Sequence, residues 1–312
     1  SLIRIFAITL MNIIGHKYIY LTFSGILILG SMLCLILWGL NVGIDFTGGA
    51  LIEVEFTEGS MPTIENVKEV LEPLKLGDVT VQPIGSRGML LRFRDVDEQT
   101  HQEILKAFGG LKGPTQTIER KFDTIGPIVG KELRRRSFAA IGFTALGIVL
   151  YLAWAFRHVS KPVASWKYGV VAVSAFIHDV IIPVGVFAVL GHFYGVSVDS
   201  LFITALLTVM GFSVHDTIVI FDRIRENLAK LKSVEPYEHT VNRSINETIS
   251  RSINTSLTVL MVLFAIVIFG GQTTQYFALA LIIGIIFGTY SSIFVASPLL
   301  VIWEQSMRKK SK

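Results

Sequence analysis

The sequence predicts an α-helical polytopic membrane protein with six transmembrane helices and an inserted extracytoplasmic α+β ferredoxin-like (βαββαβ) domain between spans 1 and 2. Three observations predict it. Of 312 residues, 51% are hydrophobic and only 17% charged, with a mean hydropathy of +0.59; a soluble chain of this length is more polar. Six apolar stretches, 18–40, 137–156, 168–190, 201–221, 253–269 and 276–303, are long enough to cross a ~30 Å hydrocarbon layer as helices. Between the first two lies a stretch of soluble character in which strand and helix periodicities alternate.

Residues 1–17 form a leader in which apolar residues interleave with Arg4, His16 and Lys17. It is expected to lie as an amphipathic helix on the cytoplasmic surface. Because the chain opens on Ser1 rather than methionine, it is expected to be trimmed or one half of a longer fused chain. No small-residue cleavage site follows the first span, so that span is read as a retained anchor.

Within 41–136, Ala50 to Phe56 alternates apolar and polar residues as a half-buried strand does. Pro62 to Leu74 carries Ile64, Val67, Val70, Leu71 and Leu74 at helical spacing, with proline in the expected first turn. Val79 to Ile84 and Met89 to Phe93 read as a hairpin around Gly85 to Gly88. Asp97 to Phe108 suggests a second helix ended by Gly109-Gly110, and Gln116 to Phe122 a last strand. The order β-α-β-β-α-β is that of a split βαβ sandwich.

Basic residues set the expected topology. The loop from Arg157 to Lys167, the polar segment 222–252 and the tail 304–312 all carry lysine or arginine and fall on one side of the membrane. That side is expected to be cytoplasmic, which places the inserted domain outside. Lys131, Arg134, Arg135 and Arg136 dissent from the outer end of span two, although large translocated domains weaken the charge rule. Segment 222–252 is helix-compatible with a break near Pro236, and reads as a solvated hairpin or a partner surface.

Several classes are excluded. Cys34 is the only cysteine and sits in an apolar run, so neither an intrachain disulfide nor a thiolate metal site is expected. No Gly-x-x-x-x-Gly-Lys-Ser/Thr loop occurs, which leaves ATP hydrolysis without support. Metal-ligand spacing is likewise not found, and the one soluble domain leans acidic, against nucleic-acid binding. The chain is not expected to be an enzyme.

The candidate chemistry centres on Gly211 to Asn227, which runs from an apolar helix into a charged segment. Asp216 lies on its apolar side. An ionised carboxylate at membrane depth costs roughly 2.5–3.5 kcal/mol on insertion scales, so it is normally paired, hydrated or protonated. A helix-end aspartate wetted at the interface is the plainer alternative, with Asp222 six residues on. His215 adjoins Asp216 but points about 100° away round a helix, which suits a tuning role at most. His178-Asp179 in span three is a second costly pair, read either as helix-packing glue or as part of a proton path. Thr204, Thr208 and Ser213 could hold water beside span four or simply pack. By itself Arg251 reads as an arginine snorkelling to the inner face.

Glycines mark both ends of the inserted domain. Gly43, Gly48 and Gly49 allow positive φ, and Asp45 among them can accept backbone N–H bonds. Gly126, Pro127 and Gly130 form the matching element before span two. The two are expected to be structural hinges that let the domain swing.

Three motifs carry a family resemblance. Gly43-Ile-Asp-Phe-Thr-Gly-Gly49 after span one, Ile125-Gly-Pro-Ile-Val-Gly-Lys-Glu-Leu133 before span two, and Gly211 to Asn227 in span four together resemble the SecF members of the SecD/SecF export family, itself related to the resistance–nodulation–division transporters. The resemblance implies a six-span subunit that pairs with SecD in the bacterial cytoplasmic membrane and works beside the SecYEG channel, with YajC and the translocating preprotein as further partners. It implies transport driven by the proton gradient, with protons the coupling ion and no other cofactor. Asp216 and Arg251 fall on the family's intramembrane aspartate and span-five arginine, which implies an ion pair or charge relay between them. Two alternatives remain: a non-conducting scaffold stabilising SecD and the channel, and a small-molecule exporter, for which the inserted domain is small.

Overall fold

The computed structural model describes residues 11–57, 61–111, 117–156, 165–231 and 235–310. The first ten residues of the leader, most of the basic 157–167 loop and the last two residues of the tail lie outside them. Two compact units result: the inserted domain, Asn41–Ala139 with Gly195–Ser200, and a helical unit made of the rest.

In the inserted domain, α2 (Ile44–Thr47) leads into β1 (Gly49–Phe56), α3 (Ile64–Leu71), β2 (Thr80–Ile84), β3 (Gly88–Phe93), α4 (Glu98–Phe108) and β4 (Thr117–Ile125); α1 is the span that precedes it, Lys17–Trp38. The sheet order is β2-β3-β1-β4, antiparallel throughout, as a ferredoxin-like sandwich requires. Alternation drives it: Ile52 opposite Leu91 and Val54 opposite Met89 put one apolar face against Val67 and Leu71 of α3 and Ile104 and Phe108 of α4. Pro62 does not open α3, contrary to the sequence expectation. Thr63 is the cap, its hydroxyl accepting from Asn66 N–H at 3.2 Å, and the proline precedes it. Asp97 caps α4 in the same way through Thr100 N–H at 2.9 Å.

The glycine elements at the two ends of the domain pack on each other. Gly48 has φ +75°, and a Cβ there would lie 2.8 Å from Pro127 Cα. One on Gly130 would lie 2.7 Å from Gly48 N. Positive φ and backbone-to-backbone approach both demand glycine here.

The helical unit contains α1, the greater part of α5 (Pro127–Ala155), α6 (Ser165–Tyr194), α7 (Ser200–Leu231), α8 (Tyr237–Phe269), α9 (Gln272–Ser291) and α10 (Ser297–Lys310). Among the described residues, six helical stretches are long and apolar enough to cross a membrane; α9, a π-helical turn at Ser292–Ala296 and α10 together form the sixth. Segment 222–252 is helical to Leu231 and again from Tyr237, with the break at Pro236 where the sequence places it. α7 continues to Leu231 and α8 starts at Tyr237, joined by Arg223 Nε to Glu247 Oε2 at 2.6 Å and Asn227 Nδ2 to Ser244 Oγ at 3.0 Å. Of the leader, residues 11–16 are described, with a 3-10 turn at Ile14–His16. Met11 N–H donates to Asn246 Oδ1 at 3.1 Å and Ile14 N–H to Asn242 Oδ1 at 3.2 Å, which fixes this stretch to α8.

Small residues set the helix spacing. A Cβ on Gly185 of α6 would meet Ser31 Cβ of α1 at 2.3 Å, and one on Gly284 of α9 would meet Val209 Cγ2 of α7 at 2.1 Å. Without a hydrophobic force between helices in lipid, such close backbone approach is a main source of association.

Candidate functional site

α6, α7, α8 and α9 bring two buried carboxylates into the helical unit. Asp216 of α7 is 3% exposed and Asp179 of α6 is 0% exposed. Hydroxyls cradle both.

Thr289 Oγ1 of α9 donates to Asp216 Oδ2 at 3.2 Å and lies 2.5 Å from Ser256 Oγ of α8, which in turn donates to Ser252 O at 2.9 Å. The small polar residues of α8 that line this seam, Thr248, Ser252 and Ser256, recur every four residues and are all buried. That spacing keeps them on one helix face.

Asp179 has a fuller shell. Its Oδ1 is 2.8 Å from His178 Nδ1, and its Oδ2 accepts from Ser291 Oγ at 2.7 Å and from Ser213 Oγ. Thr217 Oγ1 lies 2.8 Å from Ser292 Oγ, and both also bond Ser213 O. His178 Nε2 is buried without a hydrogen-bond partner among the described residues, beside the ring of Tyr290. The π turn opens at Ser292, which serves Thr217, directly after Ser291, which serves Asp179. Such turns release backbone groups and are frequent at functional sites.

The expected Asp216–Arg251 ion pair is not formed. Arg251 is exposed, and among the described residues no carboxylate lies within 4.0 Å of it. The reason is helical phase: the buried seam of α8 passes through Ser252, and Arg251 sits about 100° away. His215 is exposed too, as its position beside Asp216 dictates. Of the three hydroxyl residues of α7 singled out in the sequence, only Ser213 faces the site. Thr204 and Thr208 are exposed, and Thr208 Oγ1 bonds Thr204 O at 2.8 Å.

Asp45 lies in the inserted domain, where its Oδ2 accepts the Ser200 N–H at 2.8 Å. In the basic cluster, Arg136 pairs with Glu132 at 2.8 Å, while Lys131, Arg134 and Arg135 are exposed.

Sequence reasoning missed Thr289, Ser291, Ser292, Thr217 and Ser256. A signal was present: Gly284, Gly288, Thr289, Ser291 and Ser292 interrupt an otherwise apolar run. Small and polar residues at such spacing mark a helix face that meets protein.

Chemically, a hydroxyl both donates and accepts. Thr289 can donate to an ionised Asp216 and accept from a protonated one, turning its own hydrogen toward Ser256. A cation could satisfy only the ionised state, so this cradle tolerates a change of protonation.

Comparison with known proteins agrees with this architecture. Residues 108–306 match the family described as "Protein export membrane protein SecD/SecF, C-terminal", and residues 39–59 the "SecD/SecF GG Motif". The chain is 43% identical to the protein translocase subunit SecF of Thermobaculum terrenum, over 95% of this chain and 94% of that protein. It is 40% identical to that of Anaerolinea thermophila, again over 95% and 94%. Among solved structures, SecDF from Thermus thermophilus, described as a translocon-associated membrane protein, superposes with a TM-score of 0.81 at 32% identity, covering 95% of this chain. The chain spans 39% of that longer one. A SecDF structure in a super-membrane-facing form superposes at 0.67 with 32% identity, over 96% of this chain and 40% of that one. On these matches the chain belongs to the SecF members of the SecD/SecF protein export family.

Proposed function

We propose that the chain pairs with SecD in the bacterial cytoplasmic membrane and uses the proton-motive force to promote preprotein translocation beside the SecYEG channel, with Asp216 as its proton-carrying group. The observation that carries the reading is a carboxylate buried in a helix long and apolar enough to cross a membrane, held by a hydroxyl and by no cation within 4.0 Å among the described residues. Desolvation disfavours an isolated buried charge, and the Thr289–Ser256 pair can serve Asp216 with its proton on or off. Arg251 enters when rotation or bending of α8 brings it to the ionised carboxylate. The alternation between hydroxyl and arginine partners supplies two states that a gradient can bias. Protons are the only coupling species assigned, and no covalent chemistry is.

The test is preprotein translocation in inverted membrane vesicles carrying Asp216→Asn, with and without an imposed proton gradient, after checking that the variant still co-purifies with SecD. The expected result is intact assembly and loss of the gradient's stimulation. Stimulation equal to that of the unaltered chain would refute the reading and leave a scaffold role.

A further inference from the structure

We propose that Asp45 is a positioning residue for the helix that carries Asp216. From a segment 155 residues away it caps the start of α7 and fastens that start to the inserted domain. The consequence for transport rests on the proposed function; the fastening itself is geometric.

Ser200 is the first residue of α7. Its N–H donates to Asp45 Oδ2 at 2.8 Å, and its hydroxyl bonds the same oxygen. The first N–H groups of a helix have no partner within it, and the helix dipole favours negative charge at that end. Asp45 satisfies both needs, in the manner of a cap supplied by a distant part of the chain.

The contact is one of several. Gly43 N–H donates to Val198 O at 2.8 Å and Val198 N–H to Asn41 O at 2.8 Å, a parallel bridge between Val42 and Val198. Asn41 Nδ2 donates to Gly195 O at 2.9 Å, and Arg92 Nη2 of β3 to Ser197 Oγ at 3.0 Å. A Cβ on Gly43 would lie 3.1 Å from Val198 O, so glycine permits the approach.

Every one of these residues belongs to the inserted domain, including Gly195–Ser200. The connection between α6 and α7 is therefore a built part of that domain. Asp216 lies sixteen residues beyond Ser200, about 24 Å along an unbroken helix. Asp45 therefore holds the first residue of the helix on which Asp216 lies.

The test uses the full chain assembled with its SecD partner in inverted vesicles, in a Cys34→Ser background. Asp45→Ala is expected to co-purify normally and to lower gradient-stimulated translocation roughly tenfold. Asp45→Asn, which keeps an oxygen for the Ser200 N–H, is expected to retain most of it. A Val42→Cys/Val198→Cys pair, at the partners of the parallel bridge, is expected to restore Asp45→Ala when oxidised. Placed alone in the chain, the pair is expected to translocate alike oxidised and reduced.

Wild-type translocation by Asp45→Ala would overturn the inference, and so would failure of the disulfide to restore it. A disulfide that blocks transport when placed alone would overturn it as well, by showing that the two segments must part. That last arm decides the matter even if Asp45→Ala fails to assemble. Failure of the proton-driven reading looks different, since Asp216→Asn would then keep the gradient's stimulation. In that case the same variants are compared on gradient-independent translocation, with the same expectations.

Discussion

Replacing Asp179 separates the value of its charge from the value of its shape. In Asp179→Ala three donors lose their acceptor: His178 Nδ1, Ser213 Oγ and Ser291 Oγ. Ser291 keeps a second acceptor, Gly288 O at 3.1 Å, so two are orphaned. Hydrogen bonds inside membrane proteins average about 0.6 kcal/mol, which sets a floor of about 1.2 kcal/mol for two. An unsatisfied buried donor costs about 1–3 kcal/mol, which sets a ceiling of about 6 kcal/mol. Asp179→Asn is expected to cost less than Asp179→Ala, because its amide oxygen still accepts from both serines. Its NH2 then faces His178 Nδ1, so the imidazole hydrogen moves to Nε2, which is buried without a partner among the described residues, and about 1–3 kcal/mol for that one donor remains. The assay is the midpoint of heat inactivation of the purified chain, followed by size-exclusion chromatography under a single heating protocol. Asp179→Ala should fall clearly below the unaltered chain, with Asp179→Asn between the two. Equal midpoints for the two variants would refute the reasoning, since the shell would then hold nothing that alanine removes.

Two further outcomes follow from the packing and the caps. Gly284→Val forces side-chain atoms into Val209, whose Cγ2 already stands 2.1 Å from an added Cβ. Overpacking of this kind costs about 1–3 kcal/mol, and the heat-inactivation midpoint should drop, with Val209→Ala in the same chain recovering part of the loss. In the inserted domain, the Thr100 hydroxyl and N–H hold the Asp97 carboxyl below its ordinary value near 3.8. A depressed carboxyl contributes stability above its unfolded value and loses it as pH falls through the folded one. Amide exchange across Glu98–Leu105, corrected for intrinsic rate, should therefore rise on acidification below about pH 4. Asp97→Ala should show the raised exchange already at neutral pH.

The inserted domain was readable because its elements are amphipathic. Ile52, Val54 and Phe56 alternate with Glu53 and Glu55, so period and burial agree. The spans were readable as spans for the simpler reason of length and composition. Their mutual facing was not. Apolar residues in a lipid-exposed helix carry no phase: Phe143 and Leu150 are 74% and 61% exposed, while Leu152 is fully buried. Asp216 was legible because a lone carboxylate in an apolar run is costly wherever it points. Which way Arg251 points was not legible, because that depends on the rotation of α8, which neighbouring residues alone do not fix. The hydroxyl cradle stayed hidden for a related reason. Serine and threonine cost little in a transmembrane helix, bonding back to their own backbone as Thr208 and Thr255 do. Which of them turn inward is decided by the glycines that set helix spacing.

The two carboxylates differ in how firmly they are held, and the difference assigns them different work on the proposed reading. Asp179 takes three donors from α6, α7 and α9 and has no exposed surface. Removing or adding a proton there would disturb three bonds at once and the π turn beside them. Asp216 takes one donor, from Thr289, a side chain that can reverse its role. A group that changes protonation in every cycle must not pay for it by dismantling its surroundings, and the sparsely held Asp216 meets that condition. Asp179 instead fixes where α7 and α9 touch, next to Gly288, where a Cβ would come within 3.2 Å of Ser213 Cβ. With Asp45 holding the first residue of α7 and Asp179 gripping its middle through Ser213, the helix is constrained at two points. The short stretch past Ser213 that carries Asp216 can then respond to a proton without loosening the rest.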